Sequence, residues 1–321
     1  MVNRYRNAVI FGGSGFIGRY IVRRLAKTGC QVVVPSRHPG QATYLRSAGA
    51  VGQIVPIAVD IHDDQSVANA VAGADLVINL IGILAQSGRN SFEAVQHQAA
   101  ARIARAAKAA GVRRFVQMSA LGADASSRSA YATSKAQGEQ AVLSAFPSAT
   151  IFRPSIVFGP EDGFFNRFAA MSQTAPFLPL IGGGNTRMQP VYVGDVADAI
   201  VAAVETEGTE GKIYELAGPR TYTFKELIDL TLAQVGRPKK CTLSLGFGMA
   251  SLLGGILQNL PGQMLTADQV ELLKTDNVVS GAKPGLTDLG VQPTAVEVIL
   301  PTYLDKYRIG GRFTQPVSPA S

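Results

Sequence analysis

The chain has 321 residues, 46% of them hydrophobic, which is enough for a large core and for more than one compact lobe. Its net charge of +7 raises the question of nucleic-acid binding, but no basic run with interleaved aromatics and no reader motif is present, so that class is set aside. Two cysteines, Cys30 and Cys241, exclude a disulfide framework, offer no metal-ligand set, and fit a reducing, cytoplasmic compartment. The charge is uneven. Residues 1–150 carry 16 basic and 7 acidic side chains, whereas residues 151–321 carry 14 and 16. The first strand begins within eight residues of Met1, which leaves no room for a signal or transit peptide as an expectation.

In chain order, the apolar run Ala8–Phe11 reads as a buried strand and is followed at once by Gly12-Gly13-Ser14-Gly15-Phe16-Ile17-Gly18. From Phe16 the apolar residues Phe16, Ile17, Ile21, Val22 and Leu25 recur at helical spacing, so the glycines occupy a strand-to-helix turn. Such a turn is a pyrophosphate site: residues without Cβ allow close approach, and the first helical turn presents unpaired N–H groups and the positive end of its dipole. A second strand, Gln31–Arg37, ends in Ser36-Arg37 and not in the carboxylate that would meet a ribose 2′-OH. The first 50 residues hold eight Lys or Arg and no Asp or Glu, so NADP(H) is favoured over NAD(H); the alternative for Arg37 is a solvated surface charge. Asp60-Ile61, after the strand Ile54–Ala58, is placed to meet an adenine ring, or else Asp60 is a helix N-cap. A helix over Asp64–Ala72, a strand over Leu76–Leu80, a helix over Phe92–Ala110, a strand over Arg114–Ser119, a helix over Tyr131–Phe146 and a strand over Thr150–Pro154 follow. This alternation predicts an α/β fold: a Rossmann-type doubly wound parallel sheet over residues 1–155, with residues 156–321 forming a smaller α/β lobe whose elements interleave with the first. Beyond residue 155 the pattern loosens, with helices at Val196–Val204 and Phe224–Val235.

Tyr131 and Lys135 lie one helical turn apart and share a face. An ammonium beside a phenol favours phenolate, and the lysine is also suited to hold ribose hydroxyls. In the second half, no charged residue occurs between Lys240 and Asp268, and Leu243–Leu260 is rich in Leu, Ile, Met and Phe. Glycines and amides interrupt it too often for a membrane span. Two readings remain open: a buried helix, or a surface that meets a membrane or a partner subunit. His38, His62 and His97 have no companions at ligand or triad spacing.

The residues Gly12-x-x-Gly15-x-x-Gly18, Asp60, Val77–Gly82, Tyr131/Lys135, Arg153-Pro154-x-x-Val157-Phe158-Gly159-Pro160 and Val193–Ala197 resemble the short-chain dehydrogenase/reductase superfamily in its extended and atypical branches. The resemblance implies a cofactor site that also includes Leu80, Ile81 and Gly82, with the loop Pro154, Ser155, Ile156 and Val157 as a wall against the nicotinamide. More narrowly, Val33–Arg37, Val77–Gly82, Pro160–Ala169 and Gln189–Val196 are similar to the nucleotide-binding accessory subunits of respiratory complex I, NADH:ubiquinone oxidoreductase, in a bacterial version. That implies NADPH held in a structural role, with complex I subunits as partners and a peripheral position on the cytoplasmic face of the inner membrane. In active members a Ser or Thr at the end of the fifth strand bonds the substrate oxygen; here Ala120 takes that position, with Ser119 one residue early. The alternative is a working NADPH-dependent reductase or epimerase/dehydratase, acting in ubiquinone biosynthesis through Tyr131, Lys135 and Ser119.

Overall fold

A computed structural model describes residues 4–258, 265–308, 310 and 311. The chain divides into two compact units, one of residues 1–154, 194–216 and 280–292, the other of residues 155–193, 217–279 and 293–321.

The first unit is built on a seven-stranded parallel sheet. Its strands are β1 (Asn7–Phe11), β2 (Gln31–Ser36), β3 (Ile54–Ala58), β4 (Leu76–Asn79), β5 (Arg114–Met118), β6 (Thr150–Pro154) and Ile213–Leu216. The order is β3-β2-β1-β4-β5-β6 with Ile213–Leu216 at the far edge, so the winding reverses between β1 and β4. Ligands of such sheets bind at the carboxyl ends of the strands at this switch point. Central strands covered on both faces read as continuous apolar runs, and β4 is buried at every position. Helices α1 (Phe16–Lys27), α2 (Asp64–Val71), α3 (Ala99–Ala109) and α4 (Ala130–Ala145) connect the strands. Val9, Phe11, Val77, Ile103, Phe115 and Val142 form one core on one face of the sheet.

Three features depart from the sequence expectations. The expected helix Phe92–Ala110 is in two parts, a π-helical stretch Glu93–Gln98 and then α3. Its wider turn brings the Gln96 carbonyl against α4 at Gly138, where a Cβ would lie only 2.2 Å from that oxygen. A 3₁₀ segment, Pro39–Ala48, follows β2 and has no strong apolar period to announce it. Ile213–Leu216, four residues with Glu215 among them, also carried too weak a signal.

In the second unit the core gathers Phe158, Phe165, Leu180, Phe224, Leu227 and Leu304. Leu178–Ile181 pairs in parallel with Thr242–Leu245. The uncharged stretch resolves into that strand and a helix, Phe247–Leu257; Asn259 and Leu260 lie outside the described residues. The helix is not a buried one. Ala250 and Gly254 face inward, while Met249 (61% exposed), Leu252 (68%) and Ile256 (60%) face solvent. No helix among the described residues is long and apolar enough to cross a membrane.

Candidate functional site

The glycine turn holds itself together through Gly13 N–H to the Ile10 carbonyl (3.1 Å) and Gly15 N–H to the Gly12 carbonyl (2.9 Å). Each glycine has its own reason. Gly12 has φ +76°, and a Cβ there would lie 3.2 Å from the Leu80 carbonyl carbon at the end of β4. A Cβ on Gly15 would meet the Gly12 carbonyl oxygen at 3.2 Å, and one on Gly18 would meet the same oxygen at 2.2 Å, which is impossible without moving the turn. Gly15 caps α1 without a side-chain partner, and no acidic residue occupies the first turn that Phe16 and Ile17 open. Ser14 sits half-buried in the turn. The result is a bare backbone cradle with a positive helix end behind it, which fits a dinucleotide pyrophosphate.

Around the cradle, β2 ends at Ser36, whose hydroxyl accepts from His38 N–H (3.2 Å), and Arg37 follows it, exposed. Asp60 is not the N-cap of α2; Asp63 is, accepting from Gln65 N–H. The Asp60 carboxylate instead accepts from His62 N–H at 2.9 Å, which is the main reason that it titrates below the usual carboxylate range, and it lies 3.5 Å from the Arg89 guanidinium. Ile61 is half-buried, its carbonyl taken by Arg102 (3.0 Å). Leu80 N–H donates to the Phe11 carbonyl (2.9 Å), and Ile81 N–H to Asn79 Oδ1 (3.2 Å), so the residues leaving β4 are fixed beside the glycine turn.

At the end of β5 the buried groups are polar. Lys135, only 6% exposed, donates its Nζ to the Met118 carbonyl at 3.5 Å, and a Cβ added to Gly82 would lie 3.1 Å from that nitrogen. Burial pushes the lysine down to about 8, against an opposing pull from Glu139. Tyr131 packs edge-on to Phe92, with Lys135 Nζ 5.8 Å from its ring centre. β5 ends at Met118, but Ser119 N–H still donates to the Phe152 carbonyl of β6 (2.7 Å); the Ser119 hydroxyl is buried and finds no hydrogen-bond partner among the described residues. Ala120 beside it is half-buried.

Pro154 ends β6 in the first unit. Ser155, Ile156 and Val157 belong to the second unit, where the Ser155 hydroxyl donates to Asn277 Oδ1 at 2.6 Å and Val157 pairs with Val191. Among the described residues no group of three or more His, Cys, Asp or Glu side chains is arranged to hold a metal.

Two residues of this site escaped the sequence reading. Glu139, buried one turn beyond Lys135 on α4, forms a two-pronged ion pair with Arg153 (2.8 and 2.6 Å). The spacing Tyr131, Lys135, Glu139 was its available signal. Gln96 is buried in the π-helical stretch, donating to the Ile83 carbonyl (3.1 Å) while its Oε1 is left without a partner, and nothing in an alanine-rich helix marked it. Gln96 Oε1 and Ser119 Oγ are both buried without a hydrogen-bond partner among the described residues, which is uncommon for buried polar atoms.

Comparison with known proteins agrees with this geometry. A model of the NAD dependent epimerase/dehydratase family matches residues 8–217. The chain is 39% identical over 315 residues to the NADH dehydrogenase [ubiquinone] 1 alpha subcomplex subunit 9, mitochondrial, of Arabidopsis thaliana, covering 95% of this chain and 78% of that protein. It is 38% identical over 294 residues to the subunit of the same name from Mus musculus, covering 91% and 78%. The crystal structure of the NADPH-dependent quinone oxidoreductase QOR2 of Escherichia coli, complexed with NADPH, superposes with a TM-score of 0.69 at 22% identity, over 91% of this chain and 97% of that one, a likeness of fold. With the glycine cradle, the switch point and these matches together, the chain belongs to the NAD dependent epimerase/dehydratase family, whose fold binds a nicotinamide dinucleotide, and within it stands with the alpha subcomplex subunit 9 proteins of complex I.

Proposed function

We propose that this protein holds NADPH as a structural cofactor in an accessory subunit of a respiratory NADH:ubiquinone oxidoreductase, at the cytoplasmic face of the inner membrane. The observation that carries the cofactor choice is the end of β2, where Ser36 and exposed Arg37 stand in a 50-residue stretch without a single carboxylate. An acidic residue there would repel a 2′-phosphate; an arginine accommodates it. Gly12, Ser14, Gly15, Phe16, Ile17 and Gly18 take the pyrophosphate, Asp60 and Ile61 the adenine, Leu80, Ile81 and Gly82 the ribose side, Lys135 the nicotinamide ribose, and Pro154 with Ser155, Ile156 and Val157 the nicotinamide. The holding role is supported by Ala120 at the position where an active enzyme carries its oxygen-binding hydroxyl, since loss of one such donor typically lowers rate by ~10²–10³. The relatives named as complex I subunits support the partner. The outward face of Phe247–Leu257 supports the docking surface, because an exposed apolar patch marks a contact. The test is to titrate the protein with NADPH and NADH: NADPH binds more tightly, Arg37→Asp reverses the order, and equal wild-type affinities would overturn the reading.

A second reading has an observation in its favour. Lys135, held near 8 beside Tyr131, with the Ser119 hydroxyl buried and unpaired at the same strand end, is also the equipment of a working reductase on a quinone precursor. Oxidation of NADPH by a quinone or carbonyl compound, abolished by Tyr131→Phe, would favour it.

A further inference from the structure

Beyond Arg37 the chain runs through the 3₁₀ segment Pro39–Ala48 and comes back to the glycine turn. Tyr44, in that segment, donates its phenolic O–H to the Ser14 carbonyl at 2.9 Å. The Arg19 guanidinium lies over the Tyr44 ring, 5.3 Å from its centre, and Arg19 Nε donates to the Gly15 carbonyl at 3.3 Å. Gly15, Arg19, Tyr44 and Ser14 thereby close a ring of contacts around the turn. Helical side chains lean toward the N-terminus, which is why Arg19, four residues into α1, hangs back over the turn.

Tyr44 is 40% exposed, so packing alone does not explain a tyrosine there. What the arrangement does is set the position of a cation. A free arginine at a helix N-terminus meets any phosphate; one stacked on the segment that follows β2 is held on the side of the turn that faces β2. That is the side of the ribose 2′ position, because the residue at the end of the second strand is the one that reads it. Gly13 packs there against β2, with room for a Cβ only 3.1 Å from Val34 Cγ1. Ser36 and Arg37 lie two and three residues farther along.

We propose that Arg19 is a second cation for the 2′-phosphate, positioned by Tyr44, so that preference for NADPH rests on Arg37 and Arg19 together. This rests on the NADPH reading above. The experiment is a set of titrations of the full chain with NADPH, NADH, adenosine 2′,5′-bisphosphate and AMP, for wild type, Arg19→Gln, Arg19→Lys, Tyr44→Leu and Tyr44→Phe, each checked by thermal unfolding. Charged hydrogen bonds set the scale: Arg19→Gln weakens NADPH and the bisphosphate by ~10-fold or more while NADH and AMP change by less than ~2-fold. Tyr44→Leu shows the same pattern more weakly, and Tyr44→Phe, which keeps the ring under the guanidinium, retains most of the preference. A wild-type preference that Arg19→Gln leaves intact overturns the proposal alone. So does a loss shared equally by NADPH and NADH, which would give Arg19 to the pyrophosphate. Equal wild-type binding of NADPH and NADH overturns the underlying reading and the proposal with it. Should Arg19→Gln fail to fold, Arg19→Lys is read on the same ratio, with an intermediate loss expected and an unchanged ratio contradicting the proposal.

Discussion

The two units break the usual division of inside and outside in opposite directions. In the first unit polar groups are buried: Lys135, Glu139, Gln96 and Ser119 all lie out of solvent. On Phe247–Leu257 in the second, apolar groups are exposed: Met249, Leu252 and Ile256 point outward from a helix that buries only Ala250 and Gly254. Burying a polar group costs stability unless it is hydrogen-bonded, and exposing a large apolar group forfeits the hydrophobic contribution. Under the proposed function each inversion has a reason: a polar ligand meets the first, and an apolar surface covers the second.

The first unit breaks most readily at Gly18. In Gly18→Val a Cβ has to displace the Gly12 carbonyl oxygen and the backbone of Gly13. Overpacking of this kind costs ~1–3 kcal/mol or more, so the melting temperature falls and dinucleotide binding is lost with the turn. Wild-type-like binding by this variant would show that the cradle is not where the pyrophosphate sits.

Lys135 sharpens the contrast, since its retention opposes stability. Its folded-state pKa of about 8 lies below the ordinary value of 10.5, so between those values the unfolded chain binds the extra proton. Stability therefore rises with pH across that window, and the penalty for the buried ammonium is fully present below it. Lys135→Met should raise the melting temperature at pH 7 and flatten its rise between pH 8 and 10.5, while weakening NADPH by ~10- to 100-fold. Thermal unfolding against pH, with a titration at pH 7, checks both; a variant less stable at every pH would make the lysine an ordinary structural residue.

The second unit gives the smaller thermodynamic effect and the larger change in location. Leu252→Asp and Ile256→Asp replace exposed side chains, and such substitutions usually move stability by no more than ~0.5 kcal/mol. NADPH binding persists, and the protein shifts from the membrane fraction to the soluble fraction. A protein already wholly soluble would contradict the docking surface, and one that unfolds on these changes would show that the outward face contributes to stability. Smallest of all is Tyr131→Phe, which leaves NADPH affinity within ~2-fold if the lysine alone holds the ribose; a loss as large as that of Lys135→Met in the same titration would contradict this.

The legible parts of the molecule were those whose signal is local. The glycine turn with its flanking strand and helix, and β1 to β6 with α1, α2 and α4, announce themselves through apolar period and punctuation, and the boundaries at Ile54–Ala58 and Thr150–Pro154 coincide with the expectation. Tyr131 and Lys135 followed from helical spacing. What stayed hidden depends on residues distant in sequence. The π-helical turn at Glu93–Gln98 is fitted to Gly138, about forty residues on, and the partner of Glu139 on α4 is Arg153 on β6. Of the two sequence readings of Asp60, the helix cap falls to Asp63, while its carboxylate accepts from His62 N–H and lies 3.5 Å from Arg89. The outward face of Phe247–Leu257 was undecidable in sequence: a helix apolar all round has no preferred side until Gly254 and Ala250 find their contacts, Gly254 close against Thr266 and Ala267.

The central claim is that NADPH is held and not consumed. It is tested most directly by loading the purified full chain with NADPH, mixing it with a short-chain ubiquinone, and following the absorbance of the reduced nicotinamide. The account predicts a signal that stays constant over many minutes, in wild type and Tyr131→Phe alike. A decay in wild type that Tyr131→Phe abolishes would contradict it and make the protein a reductase.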